Sequence, residues 1–147
     1  MKISKDAQAV LLKKNKKEGI IFLLIKRFDK DKQEDYYRLV KGGVKTKETS
    51  EQAVKREVFE EVGIKNIFHT EFLTNYGYMG GNVKHEVDVF LVFVKANNIK
   101  LSIDSSDEGS FTIKKAIWVD YREAINKLNF EDEKKIIKLT VEKLKMN

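Results

Sequence analysis

A chain of 147 residues, 41% of them hydrophobic and 10% aromatic, is long enough to bury an ordinary core and reads as one globular domain spanning 1–147. It has no cysteine, which rules out a disulfide framework and a thiolate metal site, and no apolar run beyond Ile20 to Ile25, which argues against secretion and membrane spanning and makes the cytoplasm the default location. A formal charge of +6 favours anionic partners such as phosphates or RNA, although the lysines are spread along the chain rather than gathered in one groove.

Ala7 to Leu12 and Gly19 to Arg27 are apolar, strand-like runs separated by the lysine-rich turn KKNKKEG, a hairpin pattern. A charged loop, Asp29 to Asp35, leads to a short strand from Tyr36 to Val40. Gly42 and Gly43 open a loop, and a helix is predicted from about Ser50 to Val62. Thr49 can cap this helix while Gln52 reaches back, a capping box, and Gly63 is the natural left-handed residue after its last turn. Val58, Phe59 and Val62 share the side turned away from Glu57 and Glu61, so the helix should bury that side on a sheet and turn its acids outward.

Phe68 to Tyr78 and Val83 to Val94 flank a second hairpin signal, Met79-Gly80-Gly81-Asn82, and the unbroken run VDVFLVFV reads as a central strand covered on both faces. After a polar, flexible stretch from Leu101 to Ser110, a last strand covers Ala116 to Val119 and Asp120 caps a helix to about Leu128. A terminal helix from about Glu131 to Lys145 carries Ile137, Val141 and Leu144 on one side. The sum is an α/β protein with a mixed sheet between helices.

Glu57, Glu60 and Glu61 crowd one stripe at the end of the first helix. Side chains three and four apart are neighbours, each like-charge pair costs about 0.2–0.5 kcal/mol, and the negative end of the helix dipole opposes each acid by roughly 0.3–1 kcal/mol. Arg56 can reach Glu60 across one turn, but one guanidinium cannot neutralise three carboxylates. A hard divalent cation can, because Mg²⁺ takes oxygen ligands and bridges carboxylates to substrate phosphates. A solvated acidic face is the ordinary meaning of such a cluster; the wider spacing argues against it.

Gly42, Glu48, Arg56, Glu57, Glu60, Glu61 and Gly63, with Val58 and Ile64 apolar, match the pattern G-x5-E-x7-R-E-U-x-E-E-x-G-U at every fixed position, U being apolar. From ordinary residue frequencies a chance match is roughly one in a million or rarer. The segment resembles the signature of the Nudix hydrolase family. The resemblance implies an α/β/α sandwich and hydrolysis of a nucleoside diphosphate linked to another group. It also implies Mg²⁺, with Mn²⁺ as a substitute, held by Glu57, Glu60 and Glu61. In that family the signature arginine, here Arg56, orients a box carboxylate; Glu48, at the loop end, is placed either to accept hydrogen bonds from loop backbone amides or to support the metal shell. The general base stays open between Glu57 in the box and Glu108 in the SSDEGS loop.

Features outside the box resemble the diadenosine polyphosphate hydrolases and relatives acting on diphosphoinositol phosphates or capped RNA. Tyr37 and Lys41 match their aromatic and their lysine before the box glycines, while Val40 stands where they carry proline. The resemblance places Lys41 against phosphate, Tyr76 or Tyr78 against a base, and His85 where relatives carry a phosphate-contacting lysine, while Gly42 and Gly43 allow the backbone itself to approach phosphate closely. The segment from Trp118 through REAINKLNFEDEKKII matches as scaffolding. The absence of proline sets aside the ADP-ribose pyrophosphatase pattern, and no coenzyme A motif precedes the box. A dinucleoside polyphosphate is the first substrate expected, with the 5′ end of an RNA as a further partner. The alternatives are a pyrophosphatase of nucleoside triphosphates and a nucleotide- or RNA-binding module with little hydrolysis.

Overall fold

The structure is a computed structural model that describes residues 1–95 and 111–145. Seven strands form one mixed sheet: β1 (Lys2–Asn15), β2 (Gly19–Asp29), β3 (Glu34–Arg38), β4 (Val40–Gly43), β5 (Ile67–Gly80), β6 (Val83–Val94) and β7 (Phe111–Val119). Three helices accompany them among the described residues: α1 (Ser50–Val62), α2 (Tyr121–Lys127) and α3 (Glu131–Lys145).

Strand side chains alternate, so each inner strand feeds two cores. Ala7, Ala9 and Leu11 of β1, Leu23 and Ile25 of β2, and Phe90, Val92 and Val94 of β6 pack with Ala53, Val54, Val58 and Val62 of α1. The residues between them, Val10 and Leu12, Phe22 and Leu24, and Val87, Val89 and Leu91, pack with Ala124 of α2 and Ile136 and Ile137 of α3. The run VDVFLVFV is therefore covered on both faces, as its composition predicts.

The strand pairing makes a fork. β1 and β2 pair only near their turn, from Leu12 opposite Phe22 to Asn15 opposite Gly19. Beyond it they separate, and the segment from Glu34 to Gly43 fills the gap: β3 pairs with β2, β4 pairs with β1, and Leu39 joins them. The single strand expected over Tyr36 to Val40 is split for this reason, and Gly42 and Gly43 end a strand rather than open a loop. On its other edge β1 runs parallel to β6, Lys2 opposite Val83 to Leu12 opposite Phe93, which starts β1 five residues before the predicted run.

The α1 boundaries are those predicted. Thr49 accepts from the Gln52 N–H while the Gln52 side chain accepts from the Thr49 N–H, and Gly63 adopts φ 73°. One face of α1 differs from the expectation. Phe59 is 44% exposed, and Glu61, expected to point to solvent, has a buried carboxylate oxygen. A 3.6-residue repeat puts Phe59 one step beyond the stripe Ala53, Val54, Val58 and Val62, and turns Glu61 toward the fork instead. The expected stretch Leu101 to Ser110 lies outside the described residues.

Candidate active site

Arg56 organises the signature. Its Nε donates to Glu48 Oε2 at 2.8 Å, Nη2 donates to Glu48 Oε1 at 2.9 Å and to the Gly43 carbonyl at 2.8 Å, and Nη1 donates to Glu57 Oε1 at 2.7 Å and Glu60 Oε2 at 3.2 Å. All five N–H groups of the guanidinium are thereby used, a demand only arginine meets. Glu48 also accepts from the Lys45 N–H at 2.9 Å, and the Arg56 hydrogen bonds with this one bring its carboxyl down to about 2. The same bonds to Glu48, then those to Glu57, raise the pKa of Arg56.

Gly42 lies under Glu57. A Cβ built there would fall on the Glu57 carboxylate, whereas one at Gly43 would meet open space. Neither glycine has positive φ, so the signature glycine is needed for the room it leaves a box acid rather than for a special backbone conformation.

Glu61 tests whether the box fits a cation. Its Oε2 is buried and without a hydrogen-bond partner, and burial, then the charge and hydrogen bond of Glu57, hold its carboxyl well above the usual range, with Arg27 and Arg38 opposing. An orphaned carboxylate oxygen beside a second acid is a place for positive charge, and an all-oxygen donor set suits Mg²⁺ or Mn²⁺. Among the described residues no three acids or histidines are gathered as for a metal ion. Arg56 spreads the cluster by drawing Glu57 and Glu60 to itself. Mg²⁺ does not need a closed protein cage, because it binds through one or two carboxylates plus phosphates and water.

On the other face of the sheet, a pocket of about 450 Å³ opens between the fork and the start of α3. Lys41, Tyr76 and Tyr78, three of the residues singled out in the sequence, line it together with Arg38, Phe130 and Glu133, which were not. Lys41 Nζ donates to the Tyr78 hydroxyl and lies 3.5 Å from Asp6 Oδ2. Burial and the nearby Arg38 bring Lys41 down to about 8, against the pull of Asp6. His85 sits behind Tyr78, rings stacked at 4.6 Å, with Nδ1 2.8 Å from the same Asp6 oxygen. The Tyr76 hydroxyl donates to Gln8 Oε1 at 2.8 Å, and its pKa is raised, chiefly by burial.

Arg38 joins pocket and box. Burial would lower its pKa, but Glu133 in the pocket and Glu61 in the box, with Tyr36, raise it above the ordinary value, so its guanidinium lies within the field of acids on both sides. The box residues Arg56, Glu57, Glu60 and Glu61 are thus brought together, as are Lys41, Tyr76, Tyr78 and His85, in two groups meeting at the fork. Glu108 lies outside the described residues.

Asp6, Arg38 and Glu133 escaped the sequence reading. For Glu133 a signal existed: it falls on the apolar stripe of α3 with Ile137 and Thr140, where a carboxylate is anomalous. Arg38 and Asp6 gave none, because a charged residue in a short strand such as β3 is common and Asp6 precedes the apolar run that marks the first strand.

Residues 4–140 match the NUDIX domain family model, and the chain belongs to that family. The enzyme class anticipated from the signature, a Nudix pyrophosphohydrolase, stands with it. Among solved structures, the chain is similar to an Ap4A hydrolase of C. elegans in a binary complex, with TM-score 0.78, 19% identity, and 98% of this chain and 99% of that one covered. It is also similar to the NUDIX domain of Shewanella oneidensis NrtR complexed with ADP ribose, with TM-score 0.77, 15% identity, and 98% and 90% covered. A MutT protein from Methanosarcina mazei Go1 gives TM-score 0.73 at 20% identity, with 97% and 96% covered. At these identities the likeness is one of fold. A search of the curated proteins gave no match.

Proposed function

We propose that the protein hydrolyses dinucleoside polyphosphates such as diadenosine tetraphosphate in a Mg²⁺-dependent reaction, the nucleoside end seated in the pocket and the phosphates running past the fork to the box. What supports this reading is Arg38, which lines the aromatic pocket and whose charge is felt both by Glu133 in the pocket and by Glu61 in the box. Lys41 and Arg38 supply cations for the phosphates. Tyr76 and Tyr78 offer ring faces to a base, and stacking accepts any base. The likeness to an Ap4A hydrolase agrees with this choice without deciding it.

Glu57, Glu60 and Glu61 would hold the divalent ion, which when bound neutralises the diphosphate and lowers the pKa of water. Arg56 keeps Glu57 and Glu60 aligned, and Gly42 gives Glu57 its space. Asp6 fixes Lys41 and His85 beside each other on the phosphate side of Tyr78. Glu57 and Glu108 both stand as candidates for the general base. The deciding experiment is hydrolysis of diadenosine tetraphosphate against a panel of nucleoside triphosphates in ¹⁸O-labelled water with products read by mass. Release of ATP from the dinucleotide at the higher kcat/KM supports the reading; preferential pyrophosphate release from triphosphates refutes it.

A further inference from the structure

The pocket holds a polar atom that the protein itself leaves unused. Glu133 is 2% exposed; its Oε2 accepts from Gln8 Nε2 at 2.7 Å and from the Leu39 N–H at 3.0 Å, while Oε1 is buried and unpartnered. Native structures seldom leave a buried carboxylate oxygen in that state. Nor can the two arms exchange roles. The Leu39 N–H is main chain and can only donate, and Gln8 presents its nitrogen to Glu133 because its oxygen is taken by the Tyr76 hydroxyl. Glu133 lines the pocket, and the free arm of its ionised form is an acceptor that no protein group uses.

We propose that Glu133 Oε1 reads the base of the bound nucleotide, accepting a hydrogen bond from the 6-amino group of an aminopurine and rejecting a 6-oxopurine, whose carbonyl would set oxygen against oxygen. The inference rests on the nucleotide reading of the pocket and names its base. Tyr36, Tyr76 and Phe130 line a pocket of about 450 Å³, and ring faces of that extent reward a two-ring base over a single ring. The titratable groups around the carboxyl are Arg38 from β3, Lys41 from β4, Tyr76 and Tyr78 from β5, and Asp132 beside it on α3. Burial outweighs the two cations and raises Glu133 to about 7, so its acceptor form is complete in mildly alkaline solution.

Binding tests this independently of turnover. AMP, IMP and GMP are titrated calorimetrically into the wild-type protein and Glu133→Gln at about pH 8.5, above the range in which the carboxyl takes up its proton. In the variant the Leu39 N–H still requires an oxygen, so the amide must turn its NH₂ toward the pocket, a donor where an acceptor stood. The wild type should bind AMP about tenfold or more tighter than IMP and GMP, and the variant should reverse that order. Equal affinities in the wild type, no binding of any of the three, or a variant that keeps the AMP preference would overturn the proposal. If Glu133→Gln does not fold, purine riboside 5′-monophosphate, which lacks only the amino group, decides on the wild type alone: affinity equal to that of AMP refutes it. A wild type that prefers AMP yet leaves dinucleoside polyphosphates intact would sink the substrate reading and sustain this one.

Discussion

Replacing Glu61 by Gln separates what the box takes from the fold and what it gives the reaction. The carboxylate is held with one buried, unpaired oxygen beside Glu57. Two unit charges about 4 Å apart repel by about 4 kcal/mol at an effective dielectric of about 20. Arg27 and Arg38 oppose part of this, so a glutamine, which has no proton to hold, should stabilise the metal-free protein by about 1–2 kcal/mol once the pH is above the unfolded value of 4.5. The pH dependence has a definite sign. Because the folded-state pKa is raised, the folded protein keeps a proton that the unfolded chain releases; stability is full below the unfolded value of 4.5 and falls as pH rises from there toward the folded value. Urea unfolding in chelator from about pH 4 to about pH 9 should show wild-type stability falling relative to the variant. Glu133 titrates in both proteins and drops out of the difference. Added Mg²⁺ should reverse the order, stabilising the wild type by about 2.7 kcal/mol at a hundredfold excess over Kd and the variant far less, while turnover of the variant falls by about a hundredfold or more. A variant less stable than wild type throughout in chelator, or one with near-wild-type turnover at saturating Mg²⁺, would refute this account.

Gly42→Ala places a methyl group on the Glu57 carboxylate, so turnover should fall by about tenfold or more with little change in melting temperature; equal turnover would show that Glu57 has room to spare. Arg56→Lys keeps the charge but cannot serve four acceptor groups, and steady-state kinetics should show a kcat loss of about tenfold or more that added Mg²⁺ does not restore. Thr49→Ala removes the cap of α1 and should cost about 1 kcal/mol in denaturant unfolding while leaving kcat unchanged below the melting temperature. Lys41 loses its proton near pH 8, so KM should rise as pH passes through about 8, and Lys41→Met should flatten that profile.

What could be read from the sequence was local. Thr49, Gln52 and Gly63 mark the ends of α1 by chemistry contained within a few residues, and the box spacing is fixed by one helix and its preceding segment. The fork could not be read, since nothing in Tyr36 to Gly43 says that its two halves pair with different strands. For that reason the pocket and Arg38 stayed hidden, as did the closeness of Gly42 to the Glu57 carboxylate. Glu133 meets Gln8 across 125 positions of chain, a distance no periodicity bridges. Phe59 shows the opposite limit: its apolar character suggested burial, and helix geometry put it outside.

The parallel pairing of β1 with β6 also governs how the chain must assemble. Lys2 finds its neighbour only at Val83, so a ribosome has to deliver about eighty further residues before β1 can settle in the middle of the sheet. Until then the turn-end hairpin stands with an open edge, the situation in which nascent proteins recruit chaperones or stick together. Maturation should consequently be slow and late, limited by closing this long loop rather than by forming any helix.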